Sequence, residues 1–191
     1  NRCESALIYG LVDILKLYPK DMRPFIALLH RLTLGDCVDK EVIAGIIELG
    51  FTSTKTYDDA MPIACLISGI LIPQIDAKGS IKGYSAPIDV TQTDDGRFAY
   101  AIGCGLFEVC LSLISRHGGY NNGNGTHMGN MNNSIKNIMD AANIVTFQKK
   151  SSKSLSERRD NIVDTMNKTS IPENESCQEI IRALKSIVSR K

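Results

Sequence analysis

The sequence has none of the short motifs that mark common catalytic and nucleotide-binding sites. It contains no G-x-x-x-x-G-K-[ST] phosphate loop, no H-E-x-x-H metal-binding helix, no G-x-S-x-G nucleophile turn and no EF-hand loop. Cys110 and His117 lie on one predicted helix, but the helical rise separates them by ~10 Å along the axis, beyond hydrogen-bonding reach. His117 and His127 lack further ligands at i+3 or i+4 spacing. We therefore do not expect an enzyme, and we predict no metal, cofactor or small-molecule substrate.

The chain also lacks an excess of either charge. Its 22 basic and 21 acidic side chains give a formal net charge of +1, so the uniform positive field of a general nucleic-acid-binding protein is absent. Acidic residues in the predicted helices, such as Asp13, Glu48 and Glu108, occur singly and are interpreted as solvated surface positions. We expect neither a nucleic-acid partner nor a pair of catalytic carboxylates.

No apolar run is long enough to span a membrane, which takes about 18 uninterrupted residues. The longest candidate, "MPIACLISGILIPQI", is interrupted by Pro62 and Pro73. We therefore expect no membrane partner. The numbering starts at Asn1 rather than at a methionine, which suggests a piece of a longer chain.

Cysteine pairs of the C-x-x-C type are absent as well. The six cysteines are Cys3, Cys37, Cys65, Cys104, Cys110 and Cys177. Most lie in apolar helical runs, so we interpret them as buried free thiols rather than disulfides or zinc ligands, which indicates the reducing cytoplasm or nucleus. Four N-x-[ST] glycosylation motifs argue against a reducing compartment, but an asparagine-rich chain produces such motifs by chance. They lie at Asn124, Asn132, Asn167 and Asn174.

What the sequence does contain is a recurring helical pattern. Apolar residues at i, i+4, i+7 and i+8 spacing predict helices with one buried face. These predicted helices cover Cys3–Leu17, Arg23–Leu34, Lys40 to about Leu49, and a segment that is capped by Asp58 or Asp59 and has Pro62 in its first turn. Gly50 is expected to end the third helix.

A glycine lies inside the first helix of each unit. Gly10 and Gly45 are 35 residues apart, and Gly105 continues the series once a loop is subtracted. Because glycine within a helix costs ~1 kcal/mol relative to alanine, its recurrence predicts that a neighbouring helix passes too close for a Cβ atom. Repeats of this length are typical of α-solenoids. Chance recurrence is the alternative.

Two long insertions interrupt this pattern. Residues 73–96 are rich in glycine, proline and acidic residues, and residues 118–134 are rich in asparagine and glycine, so both are predicted to be loops. Between them the apolar pattern predicts one long helix from Phe98 to Arg116.

Three more polar helices are predicted beyond the second insertion. The first follows Ser134, and capping boxes at Ser154-x-x-Glu157 and Ser176-x-x-Glu179 predict the starts of the others. Lysines and arginines cluster in "FQKKSSKSLSERR" and at the end of the chain. They indicate either a phosphate-binding site or, as we prefer, solvated helix ends that complement the helix dipole.

The segments "VIAGIIELGF", "IALLHRLTL", "IACLISGIL" and "IIRALKSIV" resemble helices of the armadillo and HEAT-like repeat families. The resemblance implies an all-α, single-domain α-α superhelix over residues 1–191, with about three repeats and the two insertions. In these families the last helix of each repeat lines a groove that binds a partner protein. The corresponding candidate partner-binding residues here are His30, Arg31, Ser68 and Arg182. Family members that clamp basic signal peptides carry a groove tryptophan, and this chain has none, so we do not expect that specificity.

The sequence therefore predicts a non-enzymatic scaffold that binds another protein along a helical groove. The alternative is a non-catalytic structural subunit of a larger assembly, and an enzyme is the third candidate.

Overall fold

A computed structural model of the chain describes residues 10–11, 13–14, 40–72, 90–120 and 131–190. Within this part of the chain there are seven α-helices, one short 3₁₀ helix and no strand, so the predicted all-α class is confirmed. The predicted helix at Arg23–Leu34 and most of Cys3–Leu17 lie outside the described residues, as do 73–89 and 121–130.

The helices follow one another along the chain with short turns or long connections between them. Their bounds are α1 Lys40–Thr52, α2 Tyr57–Leu71, α3 Asp95–Gly103, α4 Leu106–His117, α5 Met131–Val145, α6 Lys149–Lys168 and α7 Glu175–Val188, with the 3₁₀ helix at Val90–Gln92. Helices α3 and α5 thus begin inside the segments predicted as insertions.

The helices pack in two rows. In the first row, α1 packs against α3 and α4, and both of these pack against α6. In the second row, α2 packs against α5, and α5 packs against α7. Helix α1 also contacts α2, and α6 contacts α7. The rows are therefore joined through contacts between successive helices.

Contacts along the first row follow the order of the residues along the chain. Near the start of α1, Lys40 Nζ lies 5.5 Å from the ring centroid of Tyr100 in α3. At the other end, Arg116 near the end of α4 donates to the carbonyl of Thr54, just after α1, at 2.9 Å. The start of α1 thus contacts α3, and the residues that follow α1 contact the end of α4.

The second row shows the same order of contacts. Lys136 in the first half of α5 pairs with Glu179 in the first half of α7, with Nζ and Oε2 2.7 Å apart. Beyond the end of α7, Arg190 Nη1 donates to the carbonyl of Asn143 near the end of α5 at 3.0 Å.

Helix α4 is the most enclosed part of the core. It contacts α1, α2, α3 and α6, and every residue of its first half is buried. The buried residues are Leu106, Phe107, Glu108, Val109, Cys110, Leu111, Leu113 and Ile114. Within the described residues no single helix is long and apolar enough to cross a membrane; only the bent pair α3 and α4 together reaches that length and composition.

The long helix predicted from Phe98 to Arg116 is two helices. Helices α3 and α4 meet at an angle of 64°. Gly105 lies between them with a φ of 96°, in the left-handed region that side chains disfavour. This glycine therefore bends the chain; it does not lie inside a continuous helix as predicted.

The start of α2 differs from the prediction. Its cap is Thr56 rather than Asp58 or Asp59: the Thr56 Oγ1 accepts from the Asp59 amide at 3.3 Å, and the Asp59 carboxylate accepts from the Thr56 amide at 3.1 Å. This is a capping box with aspartate at its third helical position. Pro62 consequently lies in the second turn of α2, not in the first.

The starts of α6 and α7 also differ from the prediction. Helix α6 begins at Lys149, so Ser154 lies inside it. Helix α7 is capped by Asn174, whose Oδ1 accepts from the Cys177 amide at 2.9 Å, so Ser176 lies in its first turn. The serine-based capping boxes were wrong because other residues had already begun each helix.

Three helix ends are bound by arginines that belong to other helices or follow them. None of α1, α2 and α5 has a basic residue in its own last turn, yet one carbonyl near the end of each accepts from a guanidinium. The pairs are Arg116 with Gly50 at 3.1 Å, Arg97 with Ile70 at 3.2 Å and Arg190 with Asn143 at 3.0 Å. Each arginine supplies a positive charge and donors to unsatisfied C-terminal carbonyls.

The close helix approach predicted at a glycine occurs at Gly50. Helix α1 continues past this residue to Thr52, so Gly50 does not end it. A Cβ at Gly50 would lie 2.5 Å from Val109 Cγ2 of α4, whereas a Cβ at Gly10 would meet none of the described residues within 4 Å. The glycine that α4 requires is therefore one that we had assigned to a helix end.

We predict that Gly50→Ala lowers the free energy of unfolding by about 1–3 kcal/mol, because the stiff, buried Val109 side chain has no room to move. The matched control is Gly103→Ala, at the exposed end of α3, where an added Cβ meets nothing within 4 Å. It should be neutral or stabilising by up to about 1 kcal/mol. Urea unfolding followed by circular dichroism measures both; equal losses in the two variants would contradict the packing assignment.

Candidate functional site

The predicted partner-binding residues are not brought together by the described structure. Ser68 lies in α2 with only 3% of its surface exposed, so it offers little contact to a partner. Arg182 is exposed on α7, where its Nε donates to the carbonyl of Gln178 at 3.3 Å. Helix α5 packs between α2 and α7. His30 and Arg31 lie outside the described residues, so the set as a whole remains a prediction.

A polar groove lies instead on the first row of helices. It has a volume of about 450 Å³ and runs along α4 between the C-terminal ends of α1 and α6. Its walls include Phe51 from α1, Glu108, Ser112 and Arg116 from α4, and Lys168 and Thr169 from the end of α6. The groove combines a carboxylate, two cations, hydroxyls and one aromatic ring.

Glu108 is the buried charge in this groove. We had interpreted it as a solvated surface residue, which was wrong: it is only 8% exposed. Its Oε1 lies 2.5 Å from Nη2 of Arg158 in α6. Glu108 Oε2 and Arg158 Nε are both buried without a hydrogen-bond partner. The ion pair therefore uses one oxygen and one nitrogen and leaves an acceptor and a donor unsatisfied.

A sequence signal for this burial existed. Glu108 stands between Phe107 and Val109 in the apolar run "LFEVCLSLI". Because α4 is buried on several sides, a carboxylate in this run is enclosed wherever it points. Burial of a charge is tolerated only when it is paired, and the partner, Arg158, lies 50 residues further along the chain.

The cations of the groove already have acceptors of their own. Arg116 donates to Gly50 O at 3.1 Å, and to Thr54 O at 2.9 Å and Thr54 Oγ1 at 2.8 Å. Partial burial lowers the pKa of the Arg116 guanidinium. Lys168 Nζ lies 2.6 Å from Asp164 Oδ2. These contacts fix both cations at helix ends.

One hydroxyl on the groove wall joins α4 to the segment after α6: Ser115 Oγ donates to the carbonyl of Ser170 at 2.7 Å. A second hydroxyl, Thr169 Oγ1, donates to the carbonyl of Thr165 at 2.5 Å within the end of α6.

The described cysteines carry protonated thiols. Cys110 and Cys177 are buried, as predicted, whereas Cys65 and Cys104 are half-buried. Burial raises the pKa of all four thiols. Among the residues that the structure describes, no group of three or more His, Cys, Asp or Glu side chains could hold a metal ion.

The basic segment around Lys150 lies at a helix start, not at the helix end that we preferred. The amides of Lys150 and Ser151 donate to the two oxygens of Asp95, at 3.1 Å and 2.8 Å. Ser151 Oγ also donates to the carbonyl of Asp95 at 3.1 Å. The amides that a phosphate would use at the start of α6 are thus bonded to a carboxylate from α3.

Two of the glycosylation motifs are used inside the fold. Asn132 is 9% exposed, and its Nδ2 donates to the carbonyl of Gly118 at 3.2 Å. Nδ2 of Asn174 donates to the same carbonyl at 2.9 Å. Neither amide nitrogen is available to a glycan in the folded protein. Asn167 is exposed, and Asn124 lies outside the described residues.

No protein-family model matches the chain, and no curated protein or solved structure matches it. The resemblance of its segments to armadillo and HEAT-like helices therefore remains an expectation from the sequence.

We predict that Asp95→Asn weakens the start of α6 by about 1 kcal/mol at pH 7. Burial acts to raise the pKa of the Asp95 carboxyl, but its hydrogen bonds to Ser151 and Lys150 lower it below the usual value. A lowered pKa means that the stabilisation is present above the unfolded-state pKa of about 3.9 and is lost as the pH falls through the folded-state value.

The difference in unfolding free energy between the wild type and Asp95→Asn should therefore shrink between pH 5 and about pH 2.5. Urea titrations over this range measure it. Asp160→Asn, at an exposed position on α6, is the control for loss of one charge. A difference for Asp95→Asn that is independent of pH would contradict the capping role.

Proposed function

We propose that this protein is a non-enzymatic, armadillo- or HEAT-like helical-repeat scaffold that binds another protein. The observation that supports it is the pair of helix rows. Along the chain the described helices can be grouped as α1 with α2, the bent pair α3 and α4 with α5, and α6 with α7. Helices of one group pack on those of the next, as α2 does on α5, α3 on α6 and α5 on α7. Repeat proteins stack in this way because no unit can bury its apolar face alone.

The surface of the last unit supports the same proposal. Side chains on the outer faces of α6 and α7 are polar, including Lys153, Glu157 and Asp160 on α6 and Arg182 and Lys185 on α7. A polar outer face is characteristic of the unit that caps a stack of repeats. Stacked helices of this kind leave extended grooves, and the groove along α4 is the one that we assign to the partner.

The test is site-specific photo-crosslinking of the purified 191-residue chain in an extract of its source cells. A photo-reactive phenylalanine replaces Ser112 in the groove, Arg182 on the second row, or Lys153, an exposed control on α6 with 78% of its side chain accessible. We expect one protein, identified by mass spectrometry, to crosslink at Ser112 and not at Lys153. Crosslinks at Arg182 alone would move the site to the second row.

The crosslinked protein must then bind the unmodified chain when both are purified, and added partner must compete with the crosslink. If every position gives the same adducts or none, while circular dichroism shows a folded variant, the scaffold proposal is contradicted.

A structural subunit of a larger assembly is the second candidate, and exposed apolar side chains at the end of α5 favour it. Phe147 is 73% exposed and Ile144 is 43% exposed. The guanidinium of Arg190 covers one part of the Phe147 ring, at 4.5 Å from its centroid. Light scattering after size-exclusion chromatography separates the candidates: a scaffold is expected to be a monomer, whereas a subunit should self-associate and become monomeric in Phe147→Ser.

A further inference from the structure

The groove along α4 contains two helix ends and one carboxylate. The C-terminal ends of α1 and α6 both reach it, at Phe51 and at Lys168 and Thr169. A helix C-terminus carries a partial negative charge and attracts cations. Glu108 adds a carboxylate to the same groove. Arg116 and Lys168 also lie on its walls, and both bind acceptors other than Glu108.

The groove's own cations leave one carboxylate oxygen unused. Arg158 binds Glu108 Oε1, Arg116 is directed at the carbonyls after α1, and Lys168 binds Asp164. Glu108 Oε2 is left buried without a donor. A buried acceptor without a donor costs about 1–3 kcal/mol, and more when it is charged. An added N–H donor would remove that cost.

The ring of Phe51 lines the same groove. Phe51 Cε2, Arg158 Nη2 and Glu108 Oε2 lie 3.7 Å, 3.7 Å and 3.8 Å from one shared point, the position that a Cβ would take at Gly105. The Phe51 side chain is 42% exposed, so its ring is able to turn aside and admit a group to the oxygen. A carboxylate next to an aromatic face is suited to an ammonium or guanidinium group, which uses both an ion pair and a cation–π contact.

We propose that this groove receives a lysine or arginine side chain of the partner protein, whose N–H groups bind Glu108 Oε2 beside the Phe51 ring. This inference rests on the proposed function and specifies the chemistry of the partner. The site lies on the first row of helices, whereas the described candidate residues from the family resemblance, Ser68 and Arg182, lie on the second row.

The test is an NMR titration of the ¹⁵N-labelled chain with three capped amino acids: N-acetyl-arginine methylamide, its lysine counterpart and its uncharged citrulline counterpart. Saturable shifts are expected at Ser112, Ser115 and Gly105 with one or both cationic probes and not with citrulline. Equal responses to arginine and citrulline, or no response to any probe, would overturn the proposal. No response to any probe is expected if Arg158 binds both carboxylate oxygens of Glu108, because no oxygen is then vacant.

Two variants locate the binding. Phe51→Leu, at an exposed position, should weaken binding of the responding probe by about twofold to fivefold. Glu108→Gln combined with Arg158→Gln removes the charge without leaving the other one unpaired, and should weaken it by about tenfold or more. Circular dichroism melting checks that both variants fold, and Asp160→Asn should bind as the wild type does. Unchanged binding in a folded double variant would overturn the proposal.

The outcomes separate this inference from the proposed function. If a partner crosslinks at Ser112 but replacing each lysine and arginine in its crosslinked segment leaves binding unchanged, the scaffold stands and the cation site fails. If no partner crosslinks but the cationic probes bind through Glu108, the site stands and the scaffold proposal fails.

Discussion

The burial of the first half of helix α4 is the constraint on which the rest of the structure depends. Four other helices pack against α4, so each residue in its buried half must be apolar, or paired if it is charged. Gly50 is a glycine because Val109 leaves no room for a side chain. Glu108 needs Arg158 because a charge in this position is out of water. The bend at Gly105 allows α4 to leave the line of α3 and enter the core.

Arginines form several of the other contacts that join the helices. Arg97, Arg116 and Arg190 each bind the end of a helix that has no basic residue in its own last turn, and Arg158 pairs with the buried carboxylate. The guanidinium group suits this role because it offers five donors in a fixed plane. Two arginines of the basic segments, Arg158 and Arg190, are thus used within the fold. The site that remains is an incompletely paired acceptor in a groove between two helix ends.

Much of the fold follows from local sequence, whereas the site does not. Apolar periodicity is enough to predict helices over most of α1, α2, α5 and α7, because each has one buried face. It misses the bend at Gly105, since a glycine in an apolar run fits both a continuous helix and a left-handed junction. It misplaces the caps at Thr56 and Asn174 because several polar residues near each start were able to cap. Glu108 was misjudged because its partner, Arg158 of α6, is distant in the sequence, although its apolar neighbours Phe107 and Val109 already indicated burial.

Native-state hydrogen exchange tests the central role of α4 most directly. Because α4 is enclosed by helices from every described unit, its amides from Val109 to Ile114 should exchange only through global unfolding, with a free energy equal to that measured by urea. The outer helices α6 and α7 should open at lower free energy. Exchange in α4 that is as fast as in α6, or faster, would contradict the account, because the helix on which the others are stacked would then open without them.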